Sequence, residues 1–104
     1  MSVLSLTFHS TENISNDWNL YMENNLLEMI ENLIDVEKYI LSEVQSEMIS
    51  EGKNTNLLLI FKKKKKRQDF IEIELINITD RIESTFGENV MIFQTLLNPK
   101  NSRF

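Results

Sequence analysis

The sequence has 104 residues, with 41% hydrophobic residues, 26% charged residues and a formal net charge of -5. This length suits one domain, and the chain is too apolar to be disordered. No apolar stretch approaches the roughly 20 residues that span a bilayer, no signal peptide is evident and cysteine is absent, so we expect a cytoplasmic protein without disulfides or membrane contact.

The first two predicted elements are a strand and a helix. Residues 4–9 alternate between apolar and polar side chains, with Leu4, Leu6 and Phe8 on the apolar side, which predicts β1. From Trp18 to Leu33 apolar residues recur at three- and four-residue steps, which predicts an amphipathic helix, α1.

A hairpin is predicted next. Residues from Tyr39 to Met48 predict β2 as a mixed strand at a sheet edge. A turn containing Gly52, which is free to take a positive φ, then leads into β3. The core of β3, Leu57 to Phe61, is apolar on both faces, as expected of a central strand.

The last two elements repeat the pattern. Ile71, Leu75, Ile78 and Ile82 are spaced by four, three and four residues, which predicts α2, with Phe70 and Phe86 extending the stripe. Gly87 occupies a helix C-cap position, and β4 follows from Val90 to Leu97.

This order predicts an α+β fold of the ferredoxin-like, split β-α-β type, β1-α1-β2-β3-α2-β4. We expect a four-stranded antiparallel sheet with two helices on one face, in a single domain over residues 1–98 followed by a flexible C-terminal tail over residues 99–104.

The face of the sheet without helices keeps apolar side chains, because β3 and β4 are apolar on both sides. Leu58, Ile60, Met91 and Phe93 are the candidate interface residues. We expect a homodimer through this open face, forming a dimeric α+β barrel. The alternative is that scattered apolar residues are tolerated at the surface.

Three residues are candidates for a ligand pocket: His9, Trp18 and Tyr21. His9 is the only histidine, and if the apolar side of β1 meets the helices it points between stacked sheets, where it could act as an acid or base. The alternative is a partly solvated histidine at a strand end. Trp18 and Tyr21 either anchor α1 to the sheet or line a pocket mouth.

Other chemistry lacks the residues that it needs. Only two glycines are present, so dinucleotide and phosphate loops are disfavoured, and we expect no metal and no cofactor. The basic run from Lys62 to Arg67 is expected to begin in the solvated loop after β3. Nucleic-acid binding is disfavoured because β3 lacks the glycine-aromatic signature of RNA-recognition domains.

Two segments resemble a family of small bacterial proteins classed as a domain of unknown function. They are the Trp-Asn-Leu-Tyr-Met sequence over residues 18–22 and the closing segment over residues 86–96. The resemblance covers nearly the whole chain and implies the ferredoxin-like, dimeric α+β-barrel fold, with no assigned reaction. The fold is more distantly similar to that of cofactor-free monooxygenases and haem-degrading enzymes, which hold substrate between helices and sheet.

The sequence therefore favours a homodimer without catalysis that binds a partner or a small ligand. The alternative is a cofactor-independent monooxygenase-like enzyme of the dimeric α+β-barrel type, with a pocket near His9.

Overall fold

A computed structural model describes residues 1–33, 35–45 and 51–103. Its strands form one antiparallel sheet in the order β2-β3-β1-β4, comprising β1 (Ser2–Ser10), β2 (Lys38–Glu43), β3 (Lys53–Phe61) and β4 (Val90–Leu97). One helix connects β1 to β2 and another connects β3 to β4. This element order confirms the predicted ferredoxin-like fold.

Helix α1 runs as Ser15–Tyr21, a π-helical turn at Met22–Leu26, and Leu27–Glu31. Its buried side chains follow one another at four-residue steps: Trp18, Met22, Leu26 and Ile30. One turn of an α-helix takes 3.6 residues. Side chains spaced by four residues would therefore rotate progressively away from the sheet in a regular α-helix. The wider π turn keeps them on one face.

Helix α2 has the same construction, with Lys64–Asp69, a π-helical turn at Phe70–Glu74, and Leu75–Phe86. Phe70 and Leu75 are both buried although they are five residues apart. The π turn between them accommodates this spacing. Ile71, predicted on the apolar stripe, is half-buried against the core.

The core lies between the helices and one face of the sheet. Leu4, Leu6 and Phe8 of β1 are fully buried there, beside Leu57 and Leu59 of β3. The predicted apolar side of β1 is therefore the side that meets the helices. His9 lies on the other side, because neighbouring residues of a strand point to opposite faces.

Strand β2 is shorter than the predicted Tyr39 to Met48. It ends at Glu43, although the Val44 amide still donates a 3.0 Å hydrogen bond to the carbonyl oxygen of Asn54. Met48 lies outside the described residues.

Both glycines take the positive φ that the turn and C-cap positions require, +82° at Gly52 and +58° at Gly87.

The basic run divides at the start of α2. Lys62 and Lys63 precede the helix and are exposed, as expected, whereas Arg67 is buried within it. Within the described ranges, no helix is long and apolar enough to cross a membrane.

Candidate functional site

The face of the sheet opposite the helices, called the open face below, is defined by the strand registers. His9 is paired with Asn54 on one side and Met91 on the other, and Thr7 with Asn56 and Phe93. Directly paired residues point to the same face. The open face therefore carries Val3, Ser5, Thr7, His9, Lys38, Ile40, Ser42, Asn54, Asn56, Leu58, Ile60, Met91, Phe93, Thr95 and Leu97.

Five of these residues form a polar centre: Ser5, Thr7, His9, Asn54 and Asn56. The Nδ1 atom of His9 lies 2.6 Å from Oδ1 of Asn54. An amide oxygen only accepts hydrogen bonds, so Nδ1 is the donor and carries the proton. In the neutral ring this leaves Nε2 as an acceptor, which gives the open face a defined hydrogen-bonding group.

Asn56 holds the rest of the polar centre together. Its Nδ2 atom shares its two hydrogens among three acceptors, the hydroxyls of Ser5 at 2.8 Å and Thr7 at 3.2 Å and the carbonyl oxygen of Leu6 at 3.3 Å. These contacts link β3 to β1 through side chains. The polar groups are therefore fixed in place before any ligand or partner arrives.

An apolar border flanks the polar centre on both sides. Met91 and Phe93 on β4 are 50% and 55% exposed, and Ile40 on β2 is 52% exposed. Leu58 is half-buried and Ile60 is buried. All four predicted interface residues, Leu58, Ile60, Met91 and Phe93, thus share the open face.

Gly52 closes one end of the polar centre. A Cβ atom at this position would clash with the carbonyl oxygen of Ser10 and lie 3.1 Å from Cε1 and Nε2 of His9. The backbone therefore passes directly against the imidazole edge, where only glycine fits.

Trp18 and Tyr21 lie on the helix side of the sheet, away from His9. The Trp18 ring is fully buried and its centroid is 5.4 Å from that of Phe8, 5.9 Å from that of Tyr21 and 5.5 Å from that of Phe86. This cluster anchors α1 and α2 to the sheet. The three predicted pocket residues therefore do not line a common pocket.

Tyr21 also lines a groove of about 610 Å³ on the outer surface of the helix layer, together with Met29 and Arg81. Partial burial raises the pKa of the Tyr21 phenol, and the nearby Arg81 guanidinium opposes that rise. The groove is open, and the Arg81 side chain contacts the Met29 sulfur at 3.3 Å.

Sequence reasoning missed Asn54 and Asn56, although period-two alternation back from Leu58 would have placed both on the open face. No pattern in the sequence predicts the burial of Arg67, because this residue ends a run of lysines. Among the described residues no group of three or more His, Asp or Glu side chains could hold a metal ion.

Solved structures similar to this chain share its fold at very low sequence identity. A candidate antibiotic biosynthesis monooxygenase from Deinococcus radiodurans matches with a TM-score of 0.73 and 10% identity, covering 100% of this chain and 97% of that protein. A dimeric ferredoxin-like protein from an uncultured marine organism matches with a TM-score of 0.66 and 13% identity, covering 100% and 99%. A dimeric ferredoxin-like protein of unknown function from Thermobifida fusca matches with a TM-score of 0.61 and 7% identity, covering 93% and 92%.

No curated protein matches the sequence. A family model does match, over residues 1–100, and its description is "Domain of unknown function (DUF4286)". The match covers nearly the whole chain and agrees with the resemblance seen at residues 18–22 and 86–96. The chain folds as a four-stranded ferredoxin-like protein and belongs to the DUF4286 family.

Proposed function

We propose that the protein acts without catalysis as a homodimer, in which two open faces stack and enclose a small polar ligand between their polar centres. The observation that carries the proposal is the arrangement of the open face, where fixed hydrogen-bonding groups lie inside an apolar border. Stacking would remove the apolar border from water, which is the main driving force for such association.

A second copy of the chain is the partner that best suits this face. A two-fold axis over the polar centre brings the border of one copy against the border of the other, so the same surface serves both partners. Lys38, on β2, is the only lysine or arginine on the open face within the described ranges, so little charge is lost to burial. Two similar structures are named dimeric ferredoxin-like proteins, which supports this choice of partner.

The ligand is expected to be small and uncharged and to carry a hydrogen-bond donor. Nε2 of His9 accepts from such a donor, while the Ser5 and Thr7 hydroxyls offer further polar contacts. Asn56 orients both hydroxyls. The absence of cysteine fits the cytoplasm as the setting for this protein.

The oligomeric state tests the first half of the proposal. Phe93→Glu places a charge in the apolar border, and Ile73→Glu is a matched control because Phe93 and Ile73 are 55% and 59% exposed on opposite sides of the molecule. Size-exclusion chromatography with light scattering should give a dimer for the wild type and for Ile73→Glu, and a monomer for Phe93→Glu. A monomeric wild type at micromolar concentration would exclude stacking.

The reactivity of His9 tests the second half. Because the sequence has one histidine, imidazole modification by diethyl pyrocarbonate reports on His9 alone. In the stacked dimer we expect slow modification, and in monomeric Phe93→Glu fast modification, because only the dimer covers the imidazole. Equal rates in the two proteins would show that His9 is not enclosed.

A cofactor-independent monooxygenase is the second candidate, because the Asn54 contact orients the His9 ring, and in the neutral ring that contact leaves Nε2 as the atom that could remove a substrate proton. The Deinococcus radiodurans protein named a candidate monooxygenase supports this alternative at the level of fold. Without a cofactor the substrate itself must reduce oxygen, so electron-rich phenols are the class to test. Oxygen uptake that His9→Ala leaves unchanged would rule out this role for His9.

A further inference from the structure

A second depression lies on the helix side of the sheet, between α1 and strands β2 and β3. It has a volume of about 330 Å³ and receives side chains from α1, β2 and β3. This size is at the lower end of the roughly 300–1,000 Å³ range of small-molecule sites. We call it the edge cleft, and its lining includes Asn19, Met22, Leu27, Leu41, Lys53 and Thr55.

Thr55 gives the edge cleft a buried hydroxyl without a partner. The residue is 3% exposed, and no atom of the described residues forms a hydrogen bond with its Oγ1. The register places Thr55 between Phe8 of β1 and Glu43 of β2. An unsatisfied buried hydroxyl destabilises a protein, so a ligand group that bonds to it would offset that cost.

Lys53 and Asn19 supply a cation and an amide at the same place. The Lys53 ammonium donates a 2.9 Å hydrogen bond to Oδ1 of Asn19. No carboxylate in the described parts of the chain lies within ion-pair distance of Lys53. Because its oxygen accepts from Lys53, the Asn19 amide is oriented with its NH₂ group available as a donor. These donors suit a carboxylate ligand.

The other walls of the edge cleft differ in chemistry. Met22, Leu27 and Leu41 contribute apolar surface, whereas the carboxylates of Glu23 and Glu43 lie at the exposed rim. The cleft thus combines one ammonium, two carboxylates and an apolar wall. A ligand that complements all three carries a carboxylate, an ammonium and an apolar side chain.

We propose that the edge cleft binds an apolar α-amino acid. Its carboxylate contacts Lys53, Asn19 and the Thr55 hydroxyl, its ammonium faces Glu43, and its side chain packs on the apolar wall. The rim carboxylates disfavour a dianion such as a phosphate monoester. The edge cleft lies on the helix side of the sheet, so this site does not depend on the homodimer proposed above.

Isothermal titration calorimetry with three compounds of similar side chain tests the ligand class. L-leucine carries both charges, 4-methylpentanoate lacks the ammonium and 3-methylbutylamine lacks the carboxylate. We expect L-leucine to bind at least about tenfold more tightly than either analogue, because each analogue loses the charge-assisted contacts of one group. Equal binding of L-leucine and 4-methylpentanoate, or no binding of L-leucine, would overturn the proposal.

Two variants test the contacts. Thr55→Val keeps a β-branched side chain and removes only the hydroxyl, so we expect about threefold to tenfold weaker L-leucine binding together with equal or greater stability to urea. Lys53→Met should weaken binding by about tenfold or more. Arg81→Met, in the groove between the helices, is the control and should bind L-leucine as the wild type does.

The stability readout separates a ligand contact from a structural role. If Thr55→Val binds L-leucine with unchanged affinity, the hydroxyl is not a ligand contact and the proposal fails. If Thr55→Val destabilises the protein, the hydroxyl has a structural partner and the proposal fails as well. Neither result bears on the oligomeric state, so failure here is distinct from failure of the homodimer.

Discussion

The Nη1 atom of Arg67 donates a 3.0 Å hydrogen bond to the carbonyl oxygen of Leu97, the last residue of β4. The same atom lies 3.0 Å from the carbonyl oxygen of Val3, which pairs with Leu97 across the sheet. A side chain from the first part of α2 thus joins two neighbouring strands at one end of the sheet. Arg67 itself is 2% exposed, the contact with Val3 is buried and the contact with Leu97 is partly buried.

Replacing Arg67 with Met should destabilise the protein by about 2–3 kcal/mol. Met occupies much of the volume of the arginine stem but cannot donate, and hydrogen bonds to charged groups contribute about 1.5–3 kcal/mol each before the cost of burying the charge. Urea denaturation measures the change in the free energy of unfolding.

The control for Arg67 is its neighbour in sequence. Lys66 forms an ion pair with Asp35 at 3.0 Å, but the two side chains are 48% and 43% exposed. Exposed ion pairs contribute about 0–1 kcal/mol, so Lys66→Met should change the unfolding free energy by no more than that. Similar losses of unfolding free energy in the two variants would mean that the hydrogen bonds of Arg67 contribute no more to stability than an exposed ion pair does.

Substitution of the two glycines should have unequal effects. Gly52→Ala forces a side chain onto a backbone with φ of +82° and against the Ser10 carbonyl and the His9 ring, whereas Gly87, with φ of +58°, has open space around its Cβ position. We expect Gly87→Ala to cost about 1–3 kcal/mol for the backbone alone, because its φ of +58° with a ψ of -130° lies outside the left-handed helical region and is rarely adopted by residues with a Cβ atom. Gly52→Ala should cost more, because the clash with the Ser10 carbonyl adds to a backbone penalty of its own. Urea denaturation of both variants measures the difference, and equal losses would contradict the close approach at His9.

Alkaline titration of the two tyrosines should show midpoints above their ordinary value, for different reasons. Burial raises the pKa of Tyr21, and the Arg81 charge partly opposes it. A 2.9 Å hydrogen bond to the Glu31 carboxylate raises the pKa of Tyr39. Arg81→Met should therefore raise the pKa of Tyr21 further, while Glu31→Gln should lower that of Tyr39 towards its ordinary value.

Phenolate absorbance in Tyr21→Phe and Tyr39→Phe assigns each midpoint to its residue. The raised pKa of Tyr21 also has a consequence for folding, because the unfolded chain ionises first. The stabilisation linked to this phenol is complete below the unfolded pKa and is lost as pH rises through the folded pKa. Tyr21→Phe should therefore lose less stability than the wild type as the pH rises through that range. An unchanged dependence of the unfolding free energy on pH in Tyr21→Phe would contradict this prediction.

The prediction of the fold from sequence succeeded because hydrophobic periodicity is a local property. Alternation at Leu4, Leu6 and Phe8 was enough to identify β1, whereas the structure showed that this apolar side meets the helices. The glycines marked turns through their backbone freedom. Periodicity also placed Met91 and Phe93 on one face of β4. The boundaries were less certain, because the same pattern of polar and apolar residues continues past Glu43, where β2 ends.

The sequence by itself therefore determined the order of elements, the ferredoxin-like plan and the apolar character of the open face. Only the tertiary structure decided which residues meet across strands and helices. It separated His9 from Trp18 by the thickness of the sheet, joined His9 to Asn54 and buried Arg67 against Leu97. The physical reason is that periodicity records which side of an element is apolar, whereas a hydrogen bond or cleft depends on the register between residues far apart in the chain.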